Sequence, residues 1–136
     1  MDVVANDLSN SYTAARAPLK VQIALFNGFD LLDAIAPYEV FLAAGELSAV
    51  SVHVELVSAE GARDVPCGVS GVRIPASAAL APHDGGIVLV PGAAGKVSGD
   101  GSESVPQLLL QASQTQLSSA MREAMEDPDV IVATGH

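Results

Sequence analysis

Cysteine is nearly absent from this chain of 136 residues: Cys67 is the only one. An intrachain disulfide and a zinc cluster built of cysteines are both excluded. Tryptophan is missing and aromatic residues make up 4% of the sequence, so the core has to be packed from Ala, Val and Leu in layers. Positive charge is scarce as well. Six Lys and Arg stand against sixteen Asp and Glu, a formal net charge of −10. That balance repels a nucleic-acid backbone and an anionic membrane surface, so neither is expected as a partner. No apolar run approaches the roughly 18–20 residues that span a bilayer. The N-terminus, MDVVANDLSNSYTAARAP, lacks the basic start and apolar segment of a secretory signal. These absences fit a cytoplasmic location, and residues 1–18 read as a polar, flexible leader.

What is present is apolar. The hydrophobic fraction is 49% and the mean hydropathy is +0.38, which argues against disorder, and the length suits one domain with its own core. Lys20–Phe26 (KVQIALF) is a strand candidate, ended by Asn27-Gly28. Asp30 follows at an N-cap position, ahead of Leu31, Leu32, Ile35, Tyr38, Phe41 and Leu42 at helical spacing. Gly45 reads as the stop, and Pro37 as a distortion or restart. Ser51–Ser58 alternates, with Val52, Val54 and Leu56 on one face and His53 and Glu55 on the other, as in a half-buried strand near an edge.

The stretch DVPCGVSGVRIPAS, broken by Pro66, Gly68, Gly71 and Pro75, predicts a hairpin. Gly86–Val90 (GIVLV) predicts a buried parallel strand that runs into Pro91-Gly92-Ala93-Ala94-Gly95, after which SGDGSES reads as an acidic surface loop. Ser104 and Gln107 form a capping-box pattern with Pro106 in the first turn. A second helical stretch carries Leu117, Ala120, Met121 and Ala124 on one face and stops at Asp127-Pro128-Asp129. Val130–His136 (VIVATGH) begins as a β-branched run expected to be a buried central strand. Strands alternating with helices in this order predict an α/β fold: a doubly wound, flavodoxin-like parallel sheet with a small β-hairpin.

In such a sheet, chemistry collects beyond the carboxyl ends of the strands. Those ends carry the Asp30–Asp33 turn, the Pro91–Gly95 loop and Gly135-His136. Each has a simpler explanation when taken alone. Asp33 is favoured near a helix start by the helix dipole, and the glycine loop serves as a tight connection. Gly95-Lys96 is followed by Val97 rather than Ser or Thr, so this is no Walker A loop, and the first strand–helix turn has no GxGxxG. Cys67 reads as structural, His53 as an exposed strand residue and His83 as a solvated loop residue. Three scattered histidines make no metal site, and no cofactor is expected.

Leu32-Asp33-Ala34-Ile35-Ala36-Pro37-Tyr38-Glu39-Val40-Phe41 resembles the LDxxGPxEVF motif of the ThiJ/PfpI superfamily, in its isonitrile-hydratase-like branch. The same signature occurs in amidotransferase-like domains of AraC-type regulators. Val90-Pro91-Gly92 is similar to that family's VPGG, Val69-Ser70-Gly71-Val72 to its hairpin segment, and Val132-Ala133-Thr134 to the strand that leads to its nucleophile elbow.

The resemblance implies a cysteine thiolate at that elbow, an acidic partner at Asp33, and an oxyanion site lined by Gly92 and Ala93. His136 occupies or abuts the nucleophile's place. Ala36 and Ala93 replace glycines of the family pattern, and Cys67 lies on the wrong element to substitute for the elbow cysteine. The implied parent activity is cysteine-dependent hydration or hydrolysis of a small molecule, with isonitrile hydration giving an N-substituted formamide. Residues 19–136 then read as the N-terminal portion of such a domain, incomplete on its C-terminal side, inactive as given, and prone to dimerise or self-associate. The alternatives are a non-catalytic sensory or oligomerisation domain of the regulator type, or an anion-binding flavodoxin-like domain that uses the loop from Gly92 to Gly101.

Overall fold

A computed structural model describes residues 18–68, 71–95 and 104–135. The leader reading over 1–17, the acidic loop over 98–103 and His136 lie outside the described residues. The elements are β1 (Leu19–Leu25), α1 (Leu31–Leu47), β2 (Val52–Ser58), β3 (Arg63–Pro66), β4 (Arg73–Ala76), β5 (Ala78–Ala79), β6 (Gly86–Val90), α2 (Val105–Ser113), α3 (Gln116–Glu126) and β7 (Val130–Thr134). The main sheet has the order β5-β2-β1-β6-β7, and every pairing in it is parallel. The expected α/β architecture is present, and so is the hairpin: β3 and β4 pair antiparallel, Val65 opposite Ile74.

The chain moves from β1 outward to β2, then crosses back to start β6 on the other side of β1. Right-handed crossovers in opposite directions place α1 over one face and α2–α3 over the other. With both faces covered, β1 is buried along nearly its whole length, and Val21, Ile23 and Ala24 have no exposed surface. Gln22 is equally buried. Its amide donates to the Ala81 carbonyl at 2.9 Å and accepts the Ala81 N–H at 2.8 Å, so this central polar side chain is satisfied by the loop ahead of β6.

Three local expectations are corrected. The helix does not stop at Gly45 but runs on to Leu47, with Ser48 as its C-cap. Gly45 serves packing instead: a Cβ there would sit 3.2 Å from the Val52 Cβ. Pro37 lies inside one continuous helix and neither ends nor restarts it. Lacking an N–H, it cannot donate to the carbonyl of Asp33 four residues back. Of the apolar residues at helical spacing, Leu31, Tyr38 and Phe41 pack on the core, while Leu32 and Leu42 are exposed.

The third correction concerns β7. It is the outermost strand, paired with β6 alone among the described residues, and no residue in it is fully buried. An apolar β-branched run specifies a strand but not its place in the sheet, which is set by where the crossover lands. The other helix readings agree with the structure. Ser104 caps α2 by accepting the Gln107 N–H, and Leu117 and Ala124 are buried with Ala120 and Met121 beside them. No helix among the described residues is long and apolar enough to cross a membrane.

Candidate functional site

The reversal of direction at β1 creates the site. The loop leaving β1 turns toward α1 on one face, and the loop leaving its neighbour β6 proceeds toward α2 on the other. In open α/β sheets the ligand crevice lies at such a switch point, between the carboxyl ends of the two strands. Asp33 and Gly92 border it. Asp30 is the N-cap of α1: its carboxylate accepts the N–H groups of Leu32 at 3.0 Å and Asp33 at 3.3 Å. With capping done by Asp30, the half-buried Asp33 carboxylate is left to reach across the crevice. It accepts the N–H of Gly92 at 3.2 Å.

The end of β7 closes on the same point. The Gly135 N–H donates to the Val90 carbonyl at 2.8 Å, which extends the β6–β7 ladder one residue past the strand. A Cβ built on Gly135 would stand 3.7 Å from the Asp33 Cβ and 3.8 Å from its Oδ2. The three strand ends singled out in the sequence therefore converge: Asp33, Gly92 and Gly135 form one cluster.

Behind that cluster the loops are laced into a short ladder of their own. Gly28 donates to Pro66 at 2.8 Å, and Gly68 donates to Phe29 at 2.9 Å. On the other side Asp30 donates to Gly92 at 2.7 Å, and Ala94 donates to Gly28 at 2.9 Å. Phe29, with no exposed surface, is thus bridged to Cys67 on one side and to Ala93 on the other. The Ala93 bridge uses the backbone groups that flank it and leaves Ala93's own N–H out of the pairing. Cys67 is buried on the hairpin side of this ladder and is not in the Asp33 cluster. Phe29 as the splice between the hairpin and the glycine loop was not foreseen. An aromatic beside a turn carries no sequence signal for pairing with two loops far along the chain.

His53 is exposed on β2, as expected. His83 is not merely solvated. Its Nδ1 lies 3.1 Å from Asp127 and its Nε2 3.0 Å from Glu123, and the bond to Asp127, then that to Glu123, raise its pKa above the ordinary 6.5. This contact ties the loop before β6 to the end of α3, at the amino ends of the strands and away from the crevice. Among the described residues no group of three or more His, Cys, Asp or Glu is placed to hold a metal ion. Neither a known family model nor a curated protein matches the chain.

Proposed function

We propose that the Asp33–Gly92–Gly135 cluster is the acidic and oxyanion side of a ThiJ/PfpI-type small-molecule site, closest in kind to the isonitrile-hydratase-like branch. The observation that carries the reading is that the Asp33 carboxylate accepts the Gly92 N–H and stands 3.8 Å from where a Cβ on Gly135 would lie, so the end of β7 comes against it. In that reading Gly92 and Ala93 line the position of a polarised ligand atom: the Ala93 N–H lies outside the ladder, and the Gly92 N–H is released once Asp33 turns to hold the group that approaches from the end of β7. His136 follows Gly135 in the sequence, where the resemblance puts a cysteine. The site as encoded therefore binds a small polar molecule without forming a thiolate adduct. This favours the sensory-domain reading of the same cluster over turnover.

The test has two arms. Incubated with an alkyl isonitrile, the chain should give no formamide above the uncatalysed rate; turnover that survives Cys67→Ser would overturn the argument. Titration with a small formamide should move the backbone amide signals of Gly92 and Ala93, and Asp33→Asn should alter that response. Shifts confined to other residues would reject the site.

A further inference from the structure

A second cavity, of about 290 Å³, lies on the α2–α3 side of the end of β1 and shares no residue with the Asp33 cluster. Phe26 and Leu117 form its apolar floor, and Asn27, Glu60, Arg63 and Gln111 its polar wall. Arg63 is one of six basic residues in a strongly acidic chain, and it is held here by two contacts. One Nη donates to Asn27 Oδ1 at 2.9 Å and the other to Glu60 Oε1 at 3.0 Å. The Nε of Arg63 is buried, and among the described residues no acceptor reaches it. A buried donor left unmet is a cost that a ligand acceptor relieves.

We propose that this cavity binds a small organic monocarboxylate with a short apolar body. The wall is rich in donors: the remaining guanidinium N–H groups, the Asn27 amide nitrogen left over once its oxygen has accepted from Arg63, and the Gln111 amide. A planar carboxylate matches the fork of Nε and Nη on the side edge of the guanidinium. Glu60 already holds the Nη of that edge, so a planar monocarboxylate can take its place like for like, which a tetrahedral dianion such as phosphate cannot. Glu60 is also the gate. Its pair with Arg63 is partly exposed, at 30% and 33% of the two side chains, and such pairs are weak enough for Glu60 to swing into solvent. That swing frees the Nη beside the buried Nε, and the guanidinium can turn that edge to the ligand. The volume lies at the small end of ligand pockets, which suits an acid of roughly four to six carbons. Asn27 opens the turn that carries Phe29 and Asp30 to the crevice, so an occupant presses on the segment that frames the Asp33 site.

The probe is butyrate, titrated into the full chain and followed by side-chain amide and backbone NMR signals, with butyramide and inorganic phosphate as controls. Butyrate should shift Asn27 and Gln111 and the controls should not. Glu60→Gln, which removes the competing carboxylate, should tighten butyrate by about two- to fivefold. Arg63→Gln should lose it, and Arg63→Lys, which keeps the charge without the fork, should weaken it. Equal response to butyramide, weaker binding in Glu60→Gln, or shifts only outside this cavity would overturn the proposal. The wild-type map and the Glu60 variant decide the matter even if the Arg63 variants fail to fold.

Discussion

Asp33 and Gly92 are 59 positions apart, yet the carboxylate of one accepts the backbone N–H of the other at 3.2 Å. This bond ties α1 to the loop after β6 across the crevice. Asp33→Ala would leave the partly buried Gly92 N–H unmet, at a cost of about 1–2 kcal/mol. The expected result is a lower melting temperature and faster hydrogen exchange at Gly92. Asp33→Asn retains an acceptor oxygen and should lose less. Unchanged Gly92 exchange in Asp33→Ala would contradict the contact.

Gly68 is where the hairpin and the glycine loop come closest. A Cβ there would fall 1.7 Å from the Ala94 carbonyl oxygen, 2.6 Å from its carbon and 2.9 Å from the Gly28 oxygen. All of these are backbone atoms and cannot rotate away. Gly68→Ala should therefore part the ladder around Phe29 and destabilise the fold by about 3 kcal/mol or more. At Gly71 a Cβ meets nothing within 4 Å, although its φ of +72° still disfavours a side chain. Chemical denaturation should rank Gly68→Ala well below Gly71→Ala in stability.

His83 makes stability depend on pH with a definite sign. Its pKa is raised in the fold by hydrogen bonds to Asp127 and then Glu123. Its contribution is therefore fully present below the ordinary value of 6.5 and lost as the pH rises through the folded value. The pKa of Asp127 is lowered, first by the Asp129 N–H and then by His83. Its contribution is present above the ordinary 3.8 and lost as the pH falls through the folded value. The difference in melting temperature between the wild type and His83→Gln should shrink from mildly acidic to mildly alkaline pH. A difference that is flat or grows over that range would contradict the assignment.

Ile131 projects from the outermost strand with 65% of its surface exposed. An apolar edge strand with unpaired backbone groups is a template for another chain. The chain is expected to self-associate through β7, and Ile131→Lys should shift its sedimentation toward the monomer. A wild-type chain that sediments as a monomer at high concentration would remove the basis for this expectation.

Periodicity made most of the elements legible. The apolar runs from Lys20 and Gly86, the cap at Ser104 and the buried face of Leu117 to Ala124 all report local preferences, and local preferences are written in neighbouring residues. Gly45 misled because a glycine chosen for close packing against Val52 looks the same as one chosen to end a helix. Pro37 does not restart the helix, one of its two readings, because a helix that runs on to Leu47 and packs on β2 tolerates one lost bond. His83 is the exposed loop residue that the sequence suggests, but its partners, on α3 and at the C-cap of α3, lie 40 and 44 positions away and leave no local signal. At the candidate site, Asp33, Gly92 and Gly135 were marked by their place at strand ends, while the division of labour between Asp30 and Asp33 was not.

The sequence by itself determined that the chain forms alternating strands and helices, that its surface is acidic, and that any site would lie at the carboxyl ends of the strands. Those features follow from spacing, composition and charge, which act over a few residues or over the whole chain at once. Tertiary structure alone decided that β7 stands at the edge, that Phe29 joins the hairpin to the glycine loop, and that the carboxylate of Asp33 rests on Gly92. Each depends on where crossovers bring distant segments together, and nothing local in the sequence encodes those distances.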